Sequence, residues 1–417
     1  MYLNPIDFFP LYEYIYSMKI GIIAEYNPFH KGHEYHINEL RGKYPDAVIC
    51  VCMSGNYVQR GEPAIYDKYE RTKAALACGA DLVFEMPQIF ATASSRDFAR
   101  AGLSLLAAVG CDAISFGMET VDPGMLNEIT DILLKEPEPF KSTLKANLDN
   151  GMSFAAARAS ALAACFDSSR ADHVTDFISL PNNILATEYI LAAKYLKISM
   201  EILLLERKGP GYNATTPANG MSSASSLRKQ IFSGPTGVKT AMTYVPPIAK
   251  NIYENATPLC YDDFSLVLYD RLLLCDYPAF YDVKTDIISR IKNNLSAYKS
   301  PTQFAELIKA KNMTLTSVSR SLLKILLRFT EDDLKEAEDY LPYVRLLGTT
   351  DAGKAVLNEV ADSLERFNLS IITQLPQNPT GLLKKEIEND ALYEAVRAMK
   401  SKTDIINEYE RMFLSFD

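Results

Sequence analysis

The 417-residue sequence lacks several features that mark whole classes of protein. No run of about 18 apolar residues is present, so no membrane-spanning helix is predicted. The seven cysteines are odd in number and form no Cys-x-x-Cys pair, which argues against a disulfide framework or a zinc site and favours a reducing cytoplasm. The net charge of −9 excludes attraction to nucleic acid over the whole surface, but it is compatible with a local basic patch.

The composition is that of a folded chain with more than one domain. Hydrophobic residues make up 48% and charged residues 23% of the sequence, and 417 residues exceed one ordinary domain. Residues 1–17 hold six aromatic residues and no Lys or Arg, so they do not resemble a secretory signal. We interpret residues 1–17 as an N-terminal extension, either an aromatic tail or, as we favour, the product of an upstream start codon before Met18.

Short apolar runs alternate with helical segments in the first half of the chain. The predicted strands are Lys19–Glu25, Ala47–Met53, Asp81–Glu85, Asp112–Phe116 and Met200–Glu206. This alternation indicates parallel β-α-β units, so residues 18–238 are predicted to form a Rossmann-like α/β domain with a helical insertion at about residues 121–172. Residues 239–417 have helical periodicity nearly everywhere, and we predict an all-α second domain there.

Three of the four histidines lie within seven residues, directly after the first predicted strand. His30, His33 and His36 occur where a helix is predicted to begin, and Gly32 between them allows a close backbone approach. The N–H groups and dipole of a helix start favour an anion. Imidazoles one turn apart could stabilise the charge that develops when a nucleoside triphosphate is attacked at its α-phosphorus. Two alternatives are helix-capping or core histidines, and a metal site formed by all three rings.

A second candidate phosphate site follows the last predicted strand of the first domain. Arg207 ends that strand, where α/β sheets bind ligands, and the segment from Ser223 to Arg228 begins a helix with hydroxyl, N–H and guanidinium groups. The alternative for the serines is a simple helix N-cap. The segment Gly348–Lys354 resembles a P-loop, but Ala355 follows it where a P-loop has Ser or Thr. We also predict no strand before it, so we interpret the segment as a helix start.

The segment His30-Lys-Gly-His33 resembles the HxGH signature of the nucleotidyltransferase superfamily. Five segments narrow the resemblance to the bacterial tRNA(Met) cytidine acetate ligase family, over about residues 18–370: Ala24–His33, Met53–Pro63, Asp81–Pro87, Ser115–Glu119 and Pro181–Leu185. Tyr343–Gly348 looks like part of that family's helical domain. Ser225 and Ala186 depart from the family pattern, and residues 1–17 have no counterpart in it.

The resemblance implies an enzyme that activates acetate with ATP as acetyl-adenylate. Such an enzyme then acetylates N4 of the wobble cytidine of elongator tRNA(Met) and releases AMP and pyrophosphate. His30 and His33 would be catalytic, Mg²⁺ would be bound with ATP, and no other metal is expected. Together with the candidate phosphate site, it predicts these ATP-binding residues: Ile23, Ala24, Glu25, Tyr26, Asn27, Pro28, Phe29, His30, Lys31, Gly32, His33, Glu34, Tyr35, His36, Gly117, Asn182, Arg207, Ser223 and Arg228.

Three further features have more than one interpretation. Asn182 and its neighbour Asn183 offer amides that could bind adenine or ribose, or could cap a helix. The loop Ser54–Glu62, which contains Arg60, could close over ATP, bind tRNA or be an ordinary solvated loop. Residues 284–328 carry nine basic and two acidic side chains, and we predict a tRNA-binding surface with the alternative of a solvated helix face. Its candidate residues are Arg320, Lys324 and Arg328, which recur every four residues, with Lys309 and Lys311.

The leading hypothesis is therefore a cytoplasmic tRNA-modifying ligase without a membrane or stable protein partner. Two other functions stay open from the sequence. One is an adenylyltransferase that acts on a small phosphorylated cofactor precursor, and the other is a nucleotide- or RNA-binding protein without turnover. The fate of AMP separates the two enzymes, because only the ligase releases it.

Overall fold

The β-strands alternate with helices in the first half of the chain. The structure is a computed structural model that describes residues 17–208, 220–274, 279–337 and 340–416. The strands are β1 (Lys19–Ala24), β2 (Val48–Ser54), β3 (Tyr57–Val58), β4 (Glu62–Pro63), β5 (Leu82–Met86), β6 (Ala113–Met118), β7 (Glu201–Glu206), β8 (Val344–Thr350), β9 (Ile371–Ile372) and β10 (Leu414–Phe416). The expected N-terminal extension lies outside the described residues, apart from Ser17.

The α-helices fall into two groups along the chain. The first group is α1 (Lys31–Lys43), α2 (Lys68–Ala77), α3 (Gln88–Ala91), α4 (Ser95–Ala108), α5 (Pro123–Lys135), α6 (Glu138–Asp149), α7 (Phe154–Ala163), α8 (Ser168–Ser179) and α9 (Pro181–Leu196). The second is α10 (Ala224–Ile231), α11 (Pro235–Met242), α12 (Pro247–Tyr253), α13 (Ser265–Leu274), α14 (Thr285–Asn294), α15 (Pro301–Ile308), α16 (Leu315–Leu327), α17 (Glu331–Glu336), α18 (Asp351–Ala355), α19 (Leu357–Glu365) and α20 (Gly381–Ser401). Helices α5 to α8 lie where the helical insertion was predicted.

One sheet organises the chain, with the strand order β10-β8-β5-β2-β1-β6-β7 and β9 beside β8. The strands from β5 to β7 in this order are parallel, which confirms the predicted α/β class with a Rossmann-like sheet. Chain order reverses between β1 and β6. At such a reversal the connections leave to opposite faces, so a crevice opens at the carboxyl ends of the two strands.

Helices cover both faces of the sheet and bury its apolar side chains. Ile37 and Leu40 of α1 share one core with Ile49, and Leu103 and Leu106 of α4 belong to the core on the other face. Strands β2 and β5 are buried along their whole length, as expected for central parallel strands with continuous apolar runs. The sheet is therefore a rigid base for the loops at its carboxyl edge.

The helical character predicted for residues 239–417 holds for most of that stretch, with a correction near its end. Val344–Thr350 is strand β8, which pairs antiparallel with β5, and β9 and β10 pair with β8. A strand therefore leads into the P-loop-like segment, and Tyr343–Gly348 is not helical. The physical reason is that β5 would otherwise be an edge strand with unpaired N–H and C=O groups. The short run around Leu346 and Leu347 pairs with those groups and becomes buried.

The later helices form a third apolar core, which also includes Tyr57, Ile89 and Phe90 from the first half of the chain. Phe264, Phe304 and Leu322 pack there with Tyr393 of α20. The packing also continues across the predicted boundary at residue 238, because Tyr253 of α12 belongs to the core beneath α1. The division into domains of residues 18–238 and 239–417 stays a prediction.

Candidate active site

The turn after β1 and the start of α1 place two stacked imidazoles at the carboxyl edge of the sheet. The Nδ1 atom of His30 accepts a hydrogen bond from the backbone N–H of Gly32 at 3.0 Å, and Nδ1 of His33 accepts one from the N–H of His30 at 3.2 Å. The ring centroids are 3.8 Å apart with an interplanar angle of 18°. Because both Nδ1 atoms are acceptors, we assign the proton of each neutral ring to Nε2. The rings therefore cap the helix with one nitrogen and keep an N–H donor on the other.

The third imidazole is fixed by a hydroxyl on β6. Nε2 of His36 lies 2.7 Å from Oγ of Ser115, which itself donates to the carbonyl of Leu203. Burial, with the positive charge of Arg207, lowers the pKa of His30 to about 3 and that of His36 to about 4. Burial and the neighbouring His30 hold the pKa of His33 well below its ordinary value. All three rings are consequently neutral near pH 7.

The three rings line a cavity of about 400 Å³ at the crevice between β1 and β6. Thirteen of the predicted ATP-binding residues line it: Ile23, Ala24, Glu25, Tyr26, Asn27, His30, His33, His36, Gly117, Asn182, Arg207, Ser223 and Arg228. The other six, Pro28, Phe29, Lys31, Gly32, Glu34 and Tyr35, lie outside its wall.

Two of these six residues, Phe29 and Lys31, have contacts within the protein, and their contact with a nucleotide stays a prediction. Phe29 is fully buried in the core beneath α1, so its role is to fix the turn. The Nζ atom of Lys31 donates to the carbonyl of Thr243, and its backbone N–H donates to the carbonyl of Tyr244. The turn itself is held by α12, because the hydroxyl of Tyr253 accepts from the N–H of Phe29 at 3.1 Å.

Arg207 brings a positive charge to the histidines from the end of β7. Its side chain passes over Gly117 of β6, where an added Cβ would lie 2.9 Å from Cγ of Arg207. Glycine at position 117 is therefore needed for this close approach. Nη1 of Arg207 donates to Oδ1 of Asn182 at 3.4 Å, and the carboxylate of Glu119 accepts from the backbone N–H of Asn182. Asn182 thus belongs both to the first turn of α9 and to the cavity wall.

The start of α10 closes another side of the cavity. Oγ of Ser223 accepts from the N–H of Ser226 at 3.1 Å, so Ser223 is the N-cap that the alternative interpretation describes. Nη1 of Arg228 donates to the carbonyl of Asn27 at 2.7 Å, and its Nη2 lies 3.0 Å from Oε1 of Glu62. Arg228 therefore links α10 to the turn that carries the histidines.

The loop Ser54–Glu62 contributes Gln59 and Arg60 to the cavity wall. The N–H of Gln59 donates to Oε1 of Glu25 at 3.0 Å. Gly61 has a φ of +80°, and an added Cβ would meet the backbone of α16 at Arg320 within 2.3 Å. The loop is thus held between the sheet and α16, which itself reaches the cavity at Thr316.

Sequence reasoning missed Arg71, a fully buried residue of α2 that organises this edge. Its guanidinium donates to the carbonyls of Glu25, Ser54, Gly55 and Tyr66, at the ends of β1 and β2 and in the loop that follows. In the sequence it looks like any arginine on a helix. Only the fold shows that its donors satisfy the carbonyls at the ends of two strands.

The predicted tRNA-binding stripe is wrong for Lys324, whose side chain is fully buried. Its Nζ donates to the carbonyl of Ile89 and lies 4.6 Å from the ring centroid of Tyr281, and burial lowers its pKa to about 7. Positions four residues apart do share one face of a helix, but at Lys324 that face of α16 packs against α3 and Tyr281, and Arg328 is the C-cap residue beyond the end of the helix. Arg320 pairs with Asp282 and Arg328 with Glu388. Lys309 and Lys311 are exposed.

Neither a metal-binding cluster nor a membrane-spanning helix is found within the described ranges. No group of three or more His, Cys, Asp or Glu side chains there could hold a metal ion. The histidine rings are instead bonded to backbone N–H groups and to Ser115. Of the helices described, none has both the length and the apolar character needed to cross a membrane.

Comparisons with known proteins agree with this geometry. A family model described as HIGH Nucleotidyl Transferase matches residues 18–408. A protein of Caldanaerobacter subterraneus subsp. tengcongensis named tRNA(Met) cytidine acetate ligase is 36% identical over 384 residues, which cover 90% of this chain and 92% of that protein. A protein of Acetivibrio thermocellus with the same name is 37% identical, over 89% of this chain and 92% of its own length. The chain belongs to the HIGH nucleotidyltransferase family and, within it, to the tRNA(Met) cytidine acetate ligase family.

Solved structures show the same fold. The crystal structure of Thermotoga maritima TmcAL in its apo form I has a TM-score of 0.86 to this chain at 24% identity, and the match covers 96% of this chain and 99% of that one. A second crystal structure of the same protein, bound with alpha-thio ATP, has a TM-score of 0.83 at 23% identity.

Proposed function

We propose that this chain is an ATP-dependent ligase that acetylates N4 of the wobble cytidine of elongator tRNA(Met) in the cytoplasm. The observation that carries the proposal is the pair of neutral, stacked imidazoles of His30 and His33, whose remaining N–H donors line a cavity shared with Arg207. The names of relatives that are 36% and 37% identical over most of both chains support the substrate assignment.

In the first step an acetate oxygen attacks the α-phosphorus of ATP. A new oxygen–phosphorus bond forms, the bond to the β-phosphate oxygen breaks, and pyrophosphate leaves with that electron pair. Negative charge grows on the α-phosphate oxygens and the leaving group, and Nε2–H donors of His30 and His33 can stabilise it from fixed positions. Neutral rings suit this role because they lose no proton during the step. Arg207 and Arg228 supply positive charge for the β- and γ-phosphates.

Magnesium would enter this site with the nucleotide. Among the described residues, the cavity wall offers one carboxylate, that of Glu25, so the phosphate oxygens of ATP would be the main ligands of the ion. When bound, Mg²⁺ neutralises charge on the phosphates. The thirteen cavity-lining residues named above are the proposed ATP contacts. Ser223 contributes there as the cap of α10, whose N-terminal end faces the same cavity.

In the second step the exocyclic amine of cytidine attacks the acetyl carbonyl carbon. A nitrogen–carbon bond forms, AMP leaves, and the nitrogen loses a proton. An anticodon base is single-stranded, so it can reach the cavity at small energetic cost. We retain Lys309, Lys311, Arg320 and Arg328 as candidate tRNA contacts, since each is at least partly exposed.

The test measures two reactions. The intact protein should exchange labelled pyrophosphate into ATP only when acetate is present, and mass spectrometry should find one added acetyl group on elongator tRNA(Met). We expect His33→Ala to lower the exchange rate by about 10²-fold or more, since it removes one donor to the developing charge. His173→Ala is the matched control, because His173 is exposed on α8 and does not line the cavity.

Two outcomes would contradict the proposal. Normal exchange in a folded His33→Ala protein would remove the histidines from the mechanism. Exchange that is independent of acetate, with AMP found on a small phosphorylated product, would indicate the adenylyltransferase instead.

A further inference from the structure

The cavity has an apolar wall formed by Ile23, Phe98, Phe116, Leu185 and Tyr189. Phe98, Phe116 and Tyr189 are part of the core beneath α4 and α9, and Ile23 and Leu185 pack against that core. The rings of Phe116 and Tyr189 are 5.2 Å apart. Beyond Ile23, the members of this wall could not be recognised from the sequence, because they look like ordinary core positions of strands and helices.

One residue of the apolar wall, Tyr189, has a hydroxyl that lacks a partner. The hydroxyl of Tyr189 is buried, and among the described residues it makes no hydrogen bond. The residue as a whole is 3% exposed. A buried hydroxyl without a partner is unfavourable by about 1–3 kcal/mol, so native proteins rarely keep one unless a ligand or water completes it. Burial also raises the pKa of this phenol well above its ordinary value, so it remains an O–H donor.

An apolar surface with a single O–H donor matches a short-chain carboxylate. The methyl group of such a ligand needs apolar contacts, and one carboxylate oxygen needs a donor. Adenine matches this wall poorly, because its ring nitrogens and amino group would face apolar side chains. The polar wall at Asn182 and Arg207 suits a nucleoside better.

The position of the wall also suits the reaction. Ile23 lies on β1, and the turn that carries His30 begins directly after that strand. A carboxylate held at the wall would therefore share the cavity with the rings of His30 and His33. Glu25 is the one acid among the described residues of the cavity wall. It accepts from the N–H of Gln59, and burial raises its pKa, which favours the neutral form, although Arg60 and Arg228 act against that rise.

We propose that the apolar wall is the acetate site, with the methyl group against Ile23, Phe98, Phe116 and Leu185 and a carboxylate oxygen accepting from the hydroxyl of Tyr189. This inference rests on the proposed function and names the residues that select the acyl group. Tyr189 orients the nucleophile, and the side chain at 185 limits the length of the acyl chain.

The experiment uses acetate-dependent exchange of pyrophosphate into ATP, which requires no tRNA. Tyr189→Phe should raise KM for acetate about tenfold, the loss expected when a carboxylate loses one donor, and should change KM for ATP less than twofold. Tyr195→Phe is the matched control on the same helix, since Tyr195 is exposed and lies outside the cavity beneath Arg100. It should behave as wild type.

A second variant tests the shape of the site. Leu185→Ala shortens a half-buried side chain of the wall and should raise the rate with propionate relative to acetate by about tenfold, the value of one methylene in an apolar pocket. An unchanged KM for acetate in Tyr189→Phe and an unchanged acyl preference in Leu185→Ala would overturn the inference. Equal increases in KM for ATP and acetate would overturn it too, because they would place the nucleoside at the wall. Absence of acetate-dependent exchange in wild type would instead refute the proposed function.

Discussion

Individual histidines in this chain are stabilised as neutral donors by their surroundings. His30 and His33 are bonded through Nδ1 to backbone N–H groups, and burial lowers the pKa of each. A charged ring would bind the ground-state phosphates more strongly, but it would also be costly to bury beside Arg207. The neutral form thus follows from burial, and it leaves each ring one donor for a phosphate oxygen.

The lowered pKa values make folding stability depend on pH. In the unfolded chain these rings take up protons below about pH 6.5, whereas His30 and His36 in the folded protein do so only near their pKa values of about 3 and 4. The free energy of unfolding should therefore be fully retained above pH 6.5 and should fall as the pH decreases towards 4. At pH 5 the loss is up to about 2 kcal/mol for each ring that stays neutral.

Urea unfolding at pH 7.5 and pH 5.0 measures this dependence. His36→Gln removes one such ring and should reduce the difference between the two pH values, whereas His173→Gln, at an exposed position, should leave it as in wild type. An identical pH dependence in wild type and His36→Gln would contradict the assignment of His36 as a buried neutral ring.

At the scale of elements, α16 shows why a charge pattern does not define a surface. Its hydrophobic residues Val318, Leu322 and Ile325 are buried, and Lys324 is buried among them with its ammonium over the rings of Tyr281 and Phe329. The helix therefore packs on more than one side. Its first turn at Thr316 reaches the cavity, so α16 connects the later helices to the active site.

Lys324→Met should leave tRNA affinity unchanged and should increase the free energy of unfolding. Replacing a buried amine by an apolar side chain of similar length removes the desolvation cost of the amine, while the hydrogen bond to Ile89 is lost. We expect the free energy of unfolding to increase by about 1–2 kcal/mol in balance. Urea unfolding at pH 7.5 and a tRNA binding titration measure both effects. The exposed pair Lys309→Ala and Lys311→Ala is the control, which should weaken tRNA binding and lower its salt dependence without loss of stability. A loss of tRNA affinity in Lys324→Met alone would contradict this interpretation.

At the scale of the whole molecule, a buried ion network joins the C-terminal segment to the sheet. Nζ of Lys68 lies between the carboxylates of Glu85, Asp390 and Glu408. Arg345 of β8 lies 3.3 Å from Glu85 and 2.7 Å from Glu408. The network therefore links α2, β5, β8 and α20. The first and the last of these elements, α2 and α20, are separated by more than 300 residues in the chain.

Asp390→Ala should destabilise the protein by about 3–5 kcal/mol, because removal of one partner leaves buried charge uncompensated. The control Glu388→Ala lies on the same helix, but its ion pair with Arg328 is exposed, so we expect a change below about 1 kcal/mol. Thermal or urea unfolding distinguishes the two. Equal stability of both variants would mean that the network does not hold the C-terminal segment on the sheet.

Much of the fold and part of the site could be predicted because their signals are local. Apolar runs such as Val48–Ser54 need burial on both faces, so they indicate parallel strands wherever they pack. The crowding of His30, His33 and His36 after the first strand is a local signal too, and the structure places the three rings together at one cavity. Strand β8, in contrast, is a short apolar run between helices, and local periodicity alone could not distinguish its conformation.

The sequence by itself determined the alternation of strands and helices in the first half of the chain and the family signature, because both depend on residues that are close along the chain. The tertiary structure decided which charges are buried, as for Lys324, Arg71 and the Lys68 network, since burial depends on segments hundreds of residues apart. It also decided which core residues border the cavity, as for Tyr189. Side chains of the same type have different roles according to what packs against them, and packing is a property of the whole folded chain.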